Sequence, residues 1–376
     1  MQASRILVVK VCCMGDVIFL TPALRALRRS FPSAEISYLA ASWVKDIVEQ
    51  VPFVDRCILF DAPYQKRSWF WKIKETLKLI FLLRCNHFDI VVIGHRNRFF
   101  AVISWLAGIP TRVGFAEGSQ WPLTHPVRFD SDKLEVSRYL NLVESIGTAS
   151  SNMTTEICPL PDQCQIVAEN LANWGISDGD VVVGIYPGGG VNPGTIMTIK
   201  RWAPTSYSEL CTRILRIPAV KILLLGGADD RALNEEIRQR VTENAERIIN
   251  VAGALPMRAL PALCERCSAV IGGDTGPVHL AAAVGTATIF LFGPSDPRLV
   301  APNRPNSVFL WKRVSCSPCY TPTTVRQRSY FRGKTFYCWT GTHECLDALT
   351  VEDVFTAFLG LIDSHLPRAA AQQKIS

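Results

Sequence analysis

The sequence alternates twice between short apolar runs rich in β-branched residues and longer segments whose apolar side chains have helical spacing. The first series begins with RILVVKV at Arg5–Val11 and includes FDIVVIG at Phe88–Gly94, and the second begins with DVVVGIY at Asp180–Tyr186. Apolar strands that alternate with helices predict a parallel sheet covered on both faces. Because the pattern stops in a polar, proline-containing stretch at 150–163 and then restarts, we predict two such sheets in two domains.

Length and composition agree with this prediction. The chain has 376 residues, of which 48% are hydrophobic and 19% charged, enough to bury two sizeable cores. Its net charge of +7 is too modest to imply nucleic-acid binding, and is compatible with an anionic substrate or an acidic membrane surface. Disorder is predicted only for the tail after Pro367.

The N-terminal segment does not have the pattern of a targeting sequence. Asp16 interrupts the apolar run, no small-residue cleavage site follows, and no apolar run reaches the roughly 18 residues of a membrane span. The thirteen cysteines are mostly scattered, as expected for reduced core residues. We therefore expect a cytoplasmic protein.

The stretch VIGGDTGPVHLAAAVGT places an acid, a hydroxyl, a glycine and a histidine where a predicted strand passes into a helix. The first amides of a helix lack internal partners and attract anions, and Gly276 would let a phosphate approach them. Asp274 could cap the turn or bind a sugar hydroxyl, while Thr275 and His279 could contact phosphate. The alternative is an ordinary capped helix with a structural histidine.

The stretch YPGGGVNPGTIMTIKRW also follows a strand and is rich in glycine. Backbone amides around Gly188 and Gly189 could form an anion-binding nest. Lys200 and Arg201 supply cations within reach of a diphosphate, and Thr195 supplies a hydroxyl. The alternative is a flexible surface loop with incidental charge.

The stretch KVCCMGDVIFLTPAL places one carboxylate, Asp16, where the first strand passes into the first helix. It contains no GxGxxG, so a standard dinucleotide site is disfavoured. Asp16 is either a helix N-cap or a general base at the carboxyl end of the sheet.

Three motifs in order resemble those of glycosyltransferase family 9, the lipopolysaccharide heptosyltransferases and their relatives. They are GDVIFLTPALRALRRSFP, YPGGG with KRWAPTSYSEL, and GGDTGPVHLAAAVGTATIFLFGPSDP, and the resemblance covers residues 4–362. It implies an α/β fold of the GT-B type, with two Rossmann-like doubly wound domains facing across a cleft. The implied parts are an acceptor-side domain at 1–165, a nucleotide-sugar domain at 175–348, and a helix at 350–365 that returns toward the first domain.

The resemblance also implies an activity. It is inverting, metal-independent transfer of a heptose from an ADP-heptose-type donor to a lipid A-core acceptor, peripheral to the cytoplasmic face of the inner membrane and without a cofactor. Asp16 corresponds to the catalytic base, and Lys200 and Thr195 to donor-phosphate contacts. The remaining donor-binding positions carried over are Gly188, Gly189, Asp274, Thr275, Gly276, His279 and, facing the ribose, either Asp229 or Asp230.

Other functions stay open from the sequence alone. A relative in the same family could use another nucleotide sugar for a different surface glycan. A non-catalytic membrane-surface protein could retain the fold, although Asp16, Lys200 and His279 argue against it. A nucleotide-sugar epimerase would need further acids or histidines that the sequence does not place.

Two segments have no assigned role in this transfer. Tyr64–Cys85 is aromatic and basic, with six Lys and Arg against one Glu, and reads as an amphipathic helix that either packs on the first domain or meets a membrane or anionic lipid. The second segment contains four cysteines in the pattern C-x2-C-x18-C-x6-C, namely Cys316, Cys319, Cys338 and Cys345. They either bind a structural zinc ion as thiolates or are free thiols.

Overall fold

The computed structural model describes residues 3–149 and 152–362, and the chain divides into two compact units between Ile157 and Cys158. The tail after Pro367 and the last residues of the predicted C-terminal helix lie outside the described residues. Within the described part, no helix combines the length and apolar character that crossing a membrane requires.

The first unit is built on one six-stranded sheet in which every neighbouring pair is parallel, in the order β3-β2-β1-β4-β5-β6. Its central strands are buried, so they read as apolar runs. The strands are β1 Arg5–Val9, β2 Glu35–Ala40, β3 Arg56–Leu59, β4 Ile90–Ile93, β5 Thr111–Ala116 and β6 His125–Arg128. The helices are α1 Met14–Ser30, α2 Lys45–Val48, α3 Trp69–Cys85, α4 Phe99–Leu106 and α5 Glu135–Glu144.

The second unit repeats this topology in a parallel sheet of order β11-β10-β7-β12-β13-β14, and adds a small sheet of two-residue strands, β15-β16-β9-β8. The strands are β7 Val181–Tyr186, β8 Val191–Asn192, β9 Thr195–Ile196, β10 Val220–Leu224, β11 Ile248–Asn250, β12 Ala269–Gly273, β13 Ala287–Phe292, β14 Ser307–Trp311, β15 Phe331–Arg332 and β16 Thr335–Phe336. The helices are α6 Pro161–Asn173, α7 Pro204–Ile214, α8 Arg231–Arg240, α9 Leu260–Glu265, α10 Gly276–Val284, α11 Pro297–Val300, α12 Glu344–Asp347 and α13 Val351–Ile362.

The domain boundary in the structure comes earlier in the chain than the sequence suggested. The first unit ends at Ile157 rather than at 165, because α6 belongs to the second unit, where Val167 and Leu171 are buried in its core. The C-terminal helix α13 packs on the second unit's core through its apolar face, which includes Val354 and Phe358. The expectation that this helix returns toward the first domain stays a prediction.

Both main sheets have a point where the chain order reverses, between β1 and β4 in the first unit and between β7 and β12 in the second. In open parallel sheets, ligands bind at the carboxyl ends of the strands beside such a reversal. The segments that leave these strand ends are the three that the sequence analysis singled out, namely those after β1, β7 and β12.

Candidate active site

Asp16 lies in the first turn of α1, just after β1, and its side chain is about 20% exposed. Its Oδ1 atom accepts a hydrogen bond of 2.9 Å from the Tyr139 hydroxyl and lies 3.4 Å from Lys10 Nζ. Tyr139 comes from α5, 123 residues further along the chain. The carboxylate is therefore fixed by two elements that pack together, α1 and α5.

The second oxygen of Asp16 is much less engaged. Among the described residues, the hydrogen-bond donor to Oδ2 is the Cys12 thiol, at a long distance of 3.7 Å. Burial alone would lower the pKa of Lys10, but the charges of Asp16 and of the neighbouring Cys12, Glu135 and Cys13 together outweigh it, so the pKa of Lys10 lies above its usual value. Because the ammonium and the hydroxyl hold Oδ1, Oδ2 is the atom left to accept a proton from an incoming hydroxyl.

His95 stabilises the loop that carries Lys10 and Cys12. The Val11 amide donates to His95 Nε2 at 3.0 Å, so this nitrogen is unprotonated. Burial, reinforced by the charge of Lys10, holds the pKa of His95 well below its usual value. A neutral imidazole is thus a structural acceptor at this strand end.

One group in this region has the composition of a metal site. Cys12, Cys13 and Asp16 place their ligand atoms within 4.8 Å of one another. The Lys10 ammonium, 3.4 Å from Asp16, opposes a cation at this position. The charge of Lys10 therefore counts against a metal centre at this carboxylate.

In the second unit, Asp274 lies between two partners. Lys200 Nζ is 2.6 Å from Oδ2 of Asp274, and His279 Nε2 is 2.9 Å from its Oδ1. The ammonium also lies over the ring of Tyr320, 4.7 Å from its centre. Lys200 is therefore held at the start of α10, where an anion would bind.

This network changes the roles expected for two residues. Burial alone would raise the pKa of Asp274, but Lys200 and the hydrogen bond with His279 outweigh it and bring the pKa well below its usual range. The ionised Asp274 is thus engaged by protein groups rather than capping α10, whose N-cap residue is Thr275. His279 is 3% exposed and faces Asp274, so its geometry suits positioning Asp274 rather than direct phosphate contact.

The start of α10 does have the features of an anion site. Thr275 makes no side-chain capping bond, and its hydroxyl donates to the Gly273 carbonyl at 3.3 Å. Gly276 is the first helical residue, followed by a proline in the first turn. The first amides of a helix lack intrahelical partners, so those at Thr275 and Gly276 are suited to bind phosphate oxygens.

The backbone of the glycine loop after β7 is hydrogen-bonded to side chains of the second unit. Gly189 donates its amide to Asp230 Oδ1 at 3.4 Å and accepts from Arg201 Nε at 3.0 Å. A Cβ at Gly188 would collide with the Asp230 carboxylate, so glycine is needed there for close approach. Arg201 also lies 3.4 Å from Asp230. Arg201 therefore braces the loop, in contrast to the expected contact with a diphosphate.

The structure separates the two aspartates that the sequence could not tell apart. Asp230 is buried and bonds the Gly227 amide at 3.1 Å, whereas Asp229 is exposed. Asp229 is thus the residue open to a ribose. Thr195 lies on β9 in the small sheet, and among the described residues no side-chain hydrogen bond joins it to Lys200, Asp274 or His279.

The four clustered cysteines do come together. All four line one small pocket, beside Ile199 and Pro294. Burial, with a contribution from the neighbouring thiols, raises the pKa of Cys319 to about 11 and that of Cys345 to about 12. Four thiols suit a tetrahedral zinc ion. However, no three of their sulfurs lie within 4.8 Å of one another in the described chain, so zinc binding would have to draw them together and stays a prediction.

Sequence reasoning did not assign site roles to Lys10, Tyr139 and Tyr320. Lys10 directly follows the first strand, next to the point where the chain order reverses, and this position could have identified it. Tyr139 and Tyr320 reach their partners through tertiary packing, which leaves no local pattern.

Comparisons with known proteins show which family the chain belongs to. The family model for glycosyltransferase family 9 (heptosyltransferase) matches residues 76–329. Lipopolysaccharide heptosyltransferase 2 of Escherichia coli K12 is 26% identical over 309 residues, which cover 79% of this chain and 85% of the relative.

Solved structures show the same fold. A family 9 glycosyltransferase from Veillonella parvula has a TM-score of 0.78 at 22% identity, covering 96% of this chain and 98% of its own. E. coli heptosyltransferase WaaC, solved with ADP-2-deoxy-2-fluoro heptose, has a TM-score of 0.65 at 18% identity, covering 96% and 100%. The family model covers more than half of the chain, and the protein therefore belongs to glycosyltransferase family 9 and is a glycosyltransferase of GT-B fold.

Proposed function

We propose that the protein is an inverting heptosyltransferase that moves a heptose from an ADP-sugar to a lipopolysaccharide core acceptor. The observation that carries the proposal is that each of the two strand-order reversals holds a different chemical group, a carboxylate in the first unit and a lysine in the second. One unit holds a carboxylate with one oxygen left for a proton, and the other holds a lysine at the start of a helix. These are a base for an alcohol and an anion site for a diphosphate.

These groups account for the proton and the leaving group of the transfer reaction. The acceptor hydroxyl oxygen attacks the anomeric carbon, and its proton passes to Oδ2 of Asp16. The bond from the anomeric carbon to the phosphate oxygen breaks, and ADP leaves with the electron pair. Lys200 and the amides at Thr275 and Gly276 stabilise the charge that develops on the departing phosphate. Attack opposite the leaving group inverts the anomeric centre.

Metal-independent chemistry is part of the proposal. Its support is the Lys200 ammonium, held at the start of α10 by Asp274 and Tyr320, where a divalent ion would otherwise neutralise the diphosphate. The relatives' names support heptose and lipopolysaccharide, and the WaaC complex supports an ADP-linked donor. The cytoplasmic face of the inner membrane follows from the family resemblance.

A donor and acceptor screen tests the proposal. The purified protein is incubated with ADP-heptose, UDP-sugars or GDP-sugars, together with a lipid A-core acceptor, in buffer containing EDTA. We expect transfer from ADP-heptose alone, with the opposite anomeric configuration in the product by NMR. Transfer from a UDP- or GDP-sugar in preference would contradict the donor assignment, and a retained configuration would contradict the mechanism.

A further inference from the structure

The first unit exposes much more apolar surface than the second. Of the sixteen large apolar side chains exposed among the described residues, eleven lie in the first unit, and six of these belong to α3. Scattered exposed apolar residues are normal, but a concentration on one element points to a binding surface.

The exposed residues of α3 form one continuous row, which we call the α3 stripe: Phe70, Ile73, Leu77 and Phe81. At about 100° per residue these four lie within an arc of about 80°, on the side opposite the buried Leu79 and Leu83. Their side chains are 68%, 44%, 60% and 70% exposed, in that order. The helix is therefore apolar on two opposite sides, of which only one packs on its own unit.

Positive charge surrounds the α3 stripe. Lys74 and Lys78 are exposed along one side of it, and Lys66 and Arg67 precede the helix. The segment Tyr64–Cys85 contains a single acid, Glu75, which is paired with Lys78 at 2.7 Å. Trp69 is 62% exposed at the helix start, and its ring lies 3.9 Å from that of Phe70.

We propose that the α3 stripe docks this protein onto the surface of an anionic phospholipid bilayer, with its apolar side chains inserted at the headgroup level. Lysines beside an apolar row can reach phosphate headgroups while their stems lie along the acyl boundary. Tryptophan favours the same depth. A protein partner fits less well, because lysine is depleted at protein interfaces whereas basic residues flank this row.

The position of α3 links the surface to the candidate base. Tyr64, five residues before the helix, lies near the Cys12 thiol, and burial together with this thiol raises the pKa of Tyr64. Cys12 in turn contacts Asp16. A bilayer bound along α3 would therefore lie close to the segment that contains the base. The inference rests on the membrane location included in the proposed function and names the surface that binds there, but it requires neither the donor nor the chemistry assigned above.

Vesicle flotation tests the proposal. The purified full chain is mixed with vesicles of phosphatidylethanolamine and phosphatidylglycerol, or of phosphatidylcholine alone. The stripe variant is Leu77→Gln with Phe81→Gln, which keeps good helix formers and spares Trp71, a partly buried residue that packs on the core. The matched control is Ile166→Gln with Met257→Gln, which removes two exposed apolar side chains from the second unit.

We expect the wild type and the control to bind anionic vesicles at least about tenfold more tightly than phosphatidylcholine. The stripe variant should lose at least about tenfold in affinity for anionic vesicles while its circular dichroism is unchanged. Lys74→Gln with Lys78→Gln should also weaken binding, and added salt should do the same. Equal binding by the stripe variant and the control, or no preference for anionic lipid, would overturn the proposal.

Activity separates this proposal from the assigned reaction. The stripe variant should transfer sugar normally to an acceptor stripped of its acyl chains. Loss of vesicle binding with normal transfer supports docking by α3, whereas unimpaired vesicle binding by the stripe variant overturns it whatever the activity.

Discussion

Replacing Asp274 by asparagine should destabilise the second unit strongly, because it removes one partner of a buried ion pair. The side chains of Lys200 and Asp274 are 12% and 9% exposed, and the carboxylate receives contacts of 2.6 Å from Lys200 and 2.9 Å from His279. Breaking a buried pair in this way costs about 3–5 kcal/mol, because the remaining charge is left without a partner. The expected fall in the melting temperature of the second unit is roughly 6–20 °C.

The pH dependence of this loss has a definite sign. The pKa of Asp274 in the folded protein lies below its unfolded value of about 3.9, so the stabilisation is present above that pH and is lost as the pH falls toward the folded-state pKa. The difference between the wild type and Asp274→Asn should therefore be complete at pH 7 and shrink below about pH 4.

Urea unfolding followed by tryptophan fluorescence measures the effect. The control is Glu352→Gln, which makes the same chemical change in an exposed pair with Arg213, where the side chains are 69% and 32% exposed. That change should cost less than about 1 kcal/mol. Adding Lys200→Met to Asp274→Asn should recover part of the lost stability, because the unpaired charge is then removed. If Asp274→Asn is no more destabilising than Glu352→Gln, the reasoning is refuted.

Three further predictions concern the site. Tyr139→Phe should lower kcat about tenfold without changing the KM for the donor, because a hydrogen bond to the Asp16 carboxylate is lost; steady-state kinetics test this, and an unchanged kcat would count against a positioning role. Gly188→Ala should destabilise the second unit by about 1–3 kcal/mol, because its Cβ meets the Asp230 carboxylate, whereas Gly194→Ala has open space; equal melting temperatures would disprove this. Dialysis against EDTA should leave transfer intact, because Lys200 supplies the charge; a large loss restored by Mg²⁺ would show that a metal is needed.

The fold was predictable because its strands are buried and alternate with helices. Buried strands such as β4 and β7 read as uninterrupted apolar runs. The parts that escaped prediction lack such a pattern. The small sheet is made of two-residue strands, which are too short for periodicity, and α6 begins inside the polar stretch at 150–163 that was taken as the break between domains.

The candidate site was predictable where an acid lies at the passage from a strand into a helix. Asp16 and Asp274 were found in this way, because ligands bind beyond the carboxyl ends of parallel strands. Tyr139 could not be found in this way, since it reaches Asp16 from 123 positions away. Asp229 and Asp230 are equivalent in the sequence, and only the turn at Ala228–Asp230 shows that the second side chain is buried.

The central claim is that Asp16 removes the acceptor proton while the second unit holds the donor. The most direct measurement compares Asp16→Asn with the wild type in both transfer and ADP binding. The account predicts that kcat falls by about 100-fold or more, the share typical of a general base, while calorimetry gives the same Kd for ADP. Transfer within a few-fold of the wild-type rate, or loss of ADP binding together with transfer, would contradict it.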